Sequence, residues 1–442
     1  MDRRCFITTA VAAAGGVALN PFSPSAAYAA TPDELRLAAR NAWLWGMPLI
    51  EMAEQRAARS AEGAKVNAIQ HQRDLITAKD QFVTTPNNDT LYSQAWLNLE
   101  QGPVTITIPS SGDRYYCAPF MDMYSNNFAI VGSRTTGGAP IQVTLVGPAQ
   151  ATDNVQAIRA PTNWVWMLGR TLVADEADLA MARAFQDGWR IDGPDVAAPR
   201  TFAKRTAPWN EFLAAVQNLM NENPPPVTDA LILASMAPLV ALGQTFDATR
   251  FAPQDVDAIR AGIAEAPKAM AAIRQQALTR NGWQFPLFGL GNFGTDYAYR
   301  AAVAIGGLGA LPRAEAVYLR AAGPDGRGFD SAANWRLTFG PDELPPVNSF
   351  WSLSMYRLTK NGQLFFADNP IDRFAIGDRT PGLKRAADGS LAIVMARTDP
   401  KEGAVNWLPT PAEGRFVLIL RAYLPKPQLM EGAYAPPSIM QA

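Results

Sequence analysis

The sequence predicts an α+β protein, in which two β-rich domains of sandwich or jelly-roll type are joined by a helical insert. Three observations predict it. Apolar and polar residues alternate with period two through Val104-Thr-Ile-Thr-Ile-Pro109 and Ile141-Gln-Val-Thr-Leu-Val146, and again through Trp335–Phe339, Leu391–Met395 and Phe416–Tyr423. Between Asp175 and Gly282 the spacing changes to that of amphipathic helices. Turn formers break both alternating regions at the short intervals of packed antiparallel sheets.

In chain order, Arg3-Arg4 precedes an Ala-rich apolar stretch reaching Leu19, too short to span a bilayer, and Ala27-Tyr28-Ala29 follows as a small-x-small site. This pattern is that of a twin-arginine export signal, with cleavage expected after Ala29 and the mature chain periplasmic or secreted. A helix then opens: Thr31 is its expected N-cap, Pro32 suits the first turn, and Asp33 and Glu34 complement the positive end of the dipole. Leu37, Ala38, Trp43 and Leu44 carry it toward Gly46-Met47-Pro48. Strands follow, separated by Ser110-Ser111-Gly112-Asp113 and Gly137-Gly138. Helices are expected over Asp178–Phe185, Trp209–Leu219, Thr228–Leu242, Val256–Leu278 and Arg300–Arg320, with Pro224-Pro225-Pro226 dividing two of them. The C-terminal strands add Ser349–Tyr356. The expected division is residues 1–29 signal, 30–172 N-terminal β domain with its leading helix, 173–320 helical connection and 321–442 C-terminal sandwich.

Composition narrows the function classes. Hydrophobic residues make up 48% of the chain and charged residues 18%, a balance that favours a large buried core. With 39 basic against 40 acidic residues there is no cationic excess for nucleic acid. Of the 2 cysteines Cys5 lies in the signal, so Cys117 stands alone in the mature chain and no disulfide is available. The 1 histidine, His71, excludes multi-histidine metal chemistry. Acid–base work at neutral pH falls to His71, to carboxylates with raised pKa, or to Tyr and Lys with lowered ones.

Polar side chains concentrate between His71 and Arg134. Pro86-Asn87-Asn88-Asp89-Thr90-Leu91-Tyr92-Ser93 either holds Asp89 as a site carboxylate beside Tyr92 or closes a turn through its own backbone. Arg114, Tyr115, Tyr116, Asp122, Asn126, Asn127 and Arg134 either converge on a small polar ligand or pair structurally. His71 is a general base if a site adjoins it and a hydrogen-bonded structural residue otherwise. Gly289-Leu-Gly291-Asn-Phe-Gly294 has the letters of a dinucleotide loop with Glu315 further on, yet no strand–helix alternation surrounds it. In the C-terminal part Arg373 and Arg379 either fork onto an anion or brace a turn with Asp378.

With these residues in view, the chain resembles the exported bacterial proteins that join two domains of unknown function, numbered twelve fifty-four and twelve fourteen. The first resemblance rests on Thr85–Ser93, Arg114-Tyr-Tyr116, Asp122, Arg134-Thr-Thr-Gly137 and Leu168-Gly-Arg-Thr171. The second rests on Leu344-Pro-Pro-Val347, Phe350-Trp-Ser352, Met355-Tyr356, Asn369-Pro370, Ile376–Thr380, Asp388-Gly-Ser-Leu391 and Asn406-Trp-Leu-Pro409, with Gly294-Thr-Asp-Tyr297 and Arg300 in the joining region. The resemblance implies two β-rich domains bridged by helices and a homo-oligomer. It makes the Gly289–Gly294 run a family segment, and it carries over no catalytic residue. Arg357 departs from the pattern, where an Asp is expected.

The functional expectation is a periplasmic hydrolase of a small polar or amphiphilic organic substrate. Asp89 or Asp122 would act as base or divalent-metal ligand, His71 would assist proton transfer, and Asn87, Tyr92, Arg114, Tyr116 and Arg134 would orient the substrate. Neither nicotinamide nor haem is expected as a cofactor, and a divalent metal would have to be held by carboxylates. Besides the small molecule, the expected partners are the export translocase and further copies of the chain. The competing expectation is a non-catalytic ligand-binding or assembly protein of the cell envelope.

Overall fold

The computed structural model describes residues 30–81, 85–400 and 406–442; the expected export signal and cleavage site lie outside them. Thr31 caps the first helix, Pro32–Ala61, through a reciprocal capping box with Glu34. The helix runs through Pro48 and does not stop there, because its apolar stripe continues past it in Leu49, Ile50, Met52 and Ala53, all buried. Packed around it are the helices Trp209–Glu222, Ala230–Met236, Pro253–Arg274 and Tyr297–Gly307. Helix Pro253–Arg274 approaches so closely that a methyl group on Gly262 would collide with the carbonyl of Arg36.

The N-terminal β part is a two-sheet stack. Its five-stranded sheet is antiparallel in the order Gln70–His71, Thr90–Asn98, Trp164–Leu172, Tyr116–Met121 and Asn127–Gly132. A four-stranded sheet of Ile158–Arg159, Ile141–Val146, Val104–Ile108 and Arg190–Asp192 covers one face. Alternation places Leu97, Tyr116, Phe120, Val165 and Met167 in that inter-sheet core, against Val104, Ile106, Ile108 and Leu145. The opposite face is divided: Trp96, Met121, Trp166 and Leu168 lie on the helical layer, and Tyr92, Arg170 and Cys117 meet the C-terminal part.

The C-terminal part is also a two-sheet stack. The central strands of its larger sheet are Ala316–Ala321, Arg415–Tyr423 and Trp351–Leu358, and Ala375–Gly377 pairs with the last of these. The smaller sheet contains Trp407–Pro409, Leu391–Ala396, Trp335–Phe339 and Met440–Gln441. Val317, Leu319, Leu353, Leu418 and Leu420 face Leu337, Phe339, Ile393 and Met395 across the core. The protein is thus a mixed α/β fold, with two β-rich parts and a helical region between them.

Two expected helices are corrected. The segment Thr228–Leu242 is α-helical only over Ala230–Met236. The segment Arg300–Arg320 is helical only as far as Gly307. Gly306 and Gly307, the left-handed Gly309 (φ 83°) and Pro312 end it, and Ala316–Ala321 alternates as a central strand of the C-terminal sheet. Its alanine content suits either state, and burial on both faces decided for the strand.

Candidate functional site

The turn before Thr90 crosses from one β part to the other. Asn87 closes it through its own backbone, accepting from the Asp89 N–H at 2.7 Å, while its amide donates to Thr90 Oγ1 at 3.1 Å and to Tyr423 OH at 2.8 Å. Asp89, 4% exposed, accepts from Ser352 Oγ at 2.6 Å and from Arg379 Nη2 at 2.8 Å. Tyr356 OH donates to the Pro86 carbonyl at 2.6 Å, and Arg421 donates to those of Thr85 and Pro86 at 3.0 and 3.1 Å. The Asn and Asp side chains therefore shape the turn and also dock it on the C-terminal sheet.

Beyond this turn the two sheets face each other across a polar seam. Strand register puts Tyr92, Arg170 and Cys117 on one wall and Tyr318, Arg421 and Ser352 on the other. Arg170 and Arg421 are only 5% and 4% exposed, and among the described residues neither has a carboxylate at ion-pair distance. Arg170 donates to the carbonyls of Leu168 at 3.1 Å and Gly309 at 2.8 Å. Arg421 also donates to Ser354 Oγ at 2.7 Å. Their guanidinium groups stand 5.4 Å from the Tyr92 ring and 5.5 Å from the Tyr356 ring. These contacts satisfy some of each guanidinium's five N–H donors without a bonded counter-charge, although Arg421 lies within the field of the Asp89 carboxylate. Tyr318 feels both arginines and Tyr92, so the four side chains share one electrostatic neighbourhood. The hydroxyls of Tyr92 and Tyr318 have no hydrogen-bond partner among the described residues, and both side chains remain half-buried within the seam. Gly309 belongs to the same wall: a methyl group there would stand 2.8 Å from Leu168 Cδ2.

Of the residues singled out in the sequence, Asn87, Asp89 and Tyr92 come together here. The others lie apart. His71 is on the edge strand, its Nδ1 2.8 Å from Ser93 Oγ and turned to the sheet face away from the seam, where burial, followed by the nearby Arg73, lowers its pKa. It borders an open groove of about 610 Å³ with Arg59, Glu62, Arg73, Asp74 and Asp80. Asp122 follows Met121 at the far end of the sheet, roughly 25 Å from Asp89 by strand rise. There it caps a turn, accepting from the N–H groups of Tyr124 and Asn126 at 2.9 Å each, and burial pushes its carboxyl up to about 6. Arg114 is committed to Asp178 by two bonds of 2.6 Å. Tyr116 packs against Phe185 and Trp189, with its hydroxyl 3.4 Å from the Gly137 carbonyl. Arg134 donates to Glu315 at 2.7 Å, and Tyr115 OH donates to the same carboxylate at 2.9 Å.

Other motifs brace the fold. The Gly289–Gly294 loop receives Asn127 on the Gly291 carbonyl at 2.9 Å and donates from Phe293 N–H to Asn126 Oδ1 at 3.1 Å. Arg379 meets a carboxylate, that of Asp89, through one bond and gives its other Nη to the Val173 carbonyl at 2.7 Å, with Asp378 beside it at 3.8 Å. Arg373 donates to the Trp407 carbonyl at 2.9 Å, and Arg357 stands 5.7 Å from the Phe365 ring. Burial pushes the Cys117 thiol up to about 12, which leaves it an unreactive part of the wall. No group of three or more His, Cys, Asp or Glu side chains gathers at one point among the described residues.

Sequence reasoning gave no site role to Arg170, Tyr318, Ser352, Arg421 and Tyr423, although Arg170 and Ser352 stand within the family segments. A signal was present, however. Trp164–Leu172 and Arg415–Tyr423 are otherwise almost wholly apolar and buried, and a lone arginine inside such a strand needs a polar counterpart.

The fold and the seam define a class: a two-part β protein with a helical layer and a buried cationic, phenol-lined surface where its β parts meet. Residues 66–193 match the family described as "Protein of unknown function (DUF1254)" and residues 315–427 the one described as "Protein of unknown function (DUF1214)". The chain belongs to the proteins that carry these two domains in tandem. Among solved structures it is similar to the VPA0106 protein from Vibrio parahaemolyticus, at 22% identity over 93% of this chain and 100% of that one, with a TM-score of 0.71. A putative uncharacterised protein from Burkholderia cenocepacia aligns at 13% identity over 93% and 94% of the two chains, with a TM-score of 0.44. No curated protein matches the chain. The first of these structures shares the fold.

Proposed function

We propose that this protein is a ligand-binding protein of the cell envelope, exported through its twin-arginine signal, that holds a small polar or amphiphilic organic molecule in the seam between its β parts. The observation that carries this reading is the pair Arg170 and Arg421, buried on facing sheets with no carboxylate bonded to either among the described residues, beside two half-buried phenol hydroxyls without partners there. A buried guanidinium is costly without a counter-charge close by, and a phenol hydroxyl with no protein partner is free to donate, so a bound polar molecule complements both.

Hydrolysis at the same place is the second reading. It is favoured by Asp378, next to Arg379 at the rim, whose carboxyl burial pushes up to about 6. A carboxyl in that range is poised for proton transfer near neutral pH. Catalysis shared by His71, Asp89 and Asp122 has less support, because these three have no common partner and Asp89 is already neutralised by Arg379.

The test is native mass spectrometry of the mature protein recovered from cells that export it, beside Tyr318→Trp, which fills the seam with a larger ring. A retained small-molecule mass in the wild type, lost in the variant, is the expected result. An apo mass for both proteins refutes the reading.

A further inference from the structure

Resting on the reading of the seam as the ligand site, the geometry points to one chemical class: an amphiphile with an oxyanion head, held between Arg170 and Arg421. Among the described residues the one carboxylate bonded in the seam is Asp89, and it is engaged by Arg379 and Ser352. The two arginines, themselves almost wholly buried, therefore leave a local excess of positive charge where water has little access to them, and a counter-charge gains most there. Guanidinium N–H groups and phenol O–H groups are all donors to an oxyanion, and Arg170, Arg421, Tyr92 and Tyr318 present them from opposite walls.

An apolar body suits the remainder of the surface. Tyr92 and Tyr318 also pack against the apolar side chains of Ile76, Leu364, Val417 and Ile419. A small inorganic anion would leave that side without contacts. A neutral amphiphile would leave both arginines without a bonded counter-charge.

Isothermal titration calorimetry of the whole mature protein with octanoate, monooctyl phosphate, octan-1-ol and acetate separates these contributions. Octanoate or monooctyl phosphate is expected to bind at least about ten-fold more tightly than octan-1-ol and acetate, the tighter of the two identifying a carboxylic or a phosphoric source. Arg170→Gln or Arg421→Gln is expected to remove most of that difference. Because the four-ligand comparison is made on the wild type, it decides even where a variant fails to fold. Equal binding of octan-1-ol overturns the oxyanion head while leaving the seam as a ligand site. Equal binding of acetate overturns the apolar body. Binding of none of the four overturns the class outright, and the retained mass described above then decides separately whether the seam is a site at all.

Discussion

Asp89→Ala is expected to destabilise the protein by about 3 kcal/mol, read as a lower urea midpoint at pH 7. The carboxylate is nearly inaccessible and joins residues 263 and 290 positions away, Ser352 and Arg379. Alanine leaves the Ser352 hydroxyl buried without its acceptor. It also removes the closer of the two carboxylates beside the Arg379 guanidinium, leaving Asp378 at 3.8 Å, and that part of the cost is moderated further because the Arg379 side chain keeps 20% exposure. Asp89→Asn retains an acceptor for Ser352 and should recover part of the loss. A change below about 0.5 kcal/mol, the range of ordinary surface substitutions, would show that the turn is not a clasp between the β parts.

Glu315→Ala is expected to cost about 2–3 kcal/mol for a related reason at the other crossing. Glu315 is fully buried at the entry to the strand Ala316–Ala321 and accepts from Tyr115 and Arg134 of the N-terminal part. Tyr115 is buried and loses its acceptor, whereas the Arg134 side chain is 36% exposed and rehydrates, so most of the cost falls on the phenol. The two crossings are not independent. Tyr115 packs edge-on against Tyr423 at 5.4 Å between ring centres, and Tyr423 OH accepts from Asn87 in the turn of Asp89. The double variant should therefore depart from additivity by more than about 0.5 kcal/mol, measured from the same urea midpoints. Strict additivity would mean that Tyr423 does not couple them.

Much of the fold was legible because its signals are local. Thr31 and Glu34 sit three residues apart and form the expected capping box, and the alternating runs at Val104, Ile141, Trp335, Leu391 and Phe416 all became strands. The Asn87–Asp89 turn was legible for the same reason, since an Asx side chain needs only its own backbone. Helix ends were less legible. Pro48 does not break its helix because packing on both sides outweighs the lost hydrogen bond, and the Ala-rich stretch after Arg300 gave no local sign that its second half was a strand.

The seam was the least legible part, because it is made by register between sheets distant in sequence. That Arg170 lies opposite Tyr92, and Arg421 opposite both Tyr318 and Ser352, follows only from strand pairing. The density of polar residues from His71 to Arg134 drew attention for a sound reason, yet most of them are spent on separate local tasks. Arg114 holds Asp178, Arg134 holds Glu315 and Asp122 holds a turn. The residues left over are those whose charge and hydroxyl groups find no complete partner, and they lie where the two parts meet.

The most direct test of that seam as the ligand site is photolabelling of the mature protein with an octanoate analogue carrying a diazirine on its chain, followed by peptide mapping. Label in the strands Thr90–Asn98, Ala316–Ala321 and Arg415–Tyr423, competed by unlabelled octanoate, is the predicted result. Label confined to the groove beside His71, or spread over the surface without competition, would contradict the account.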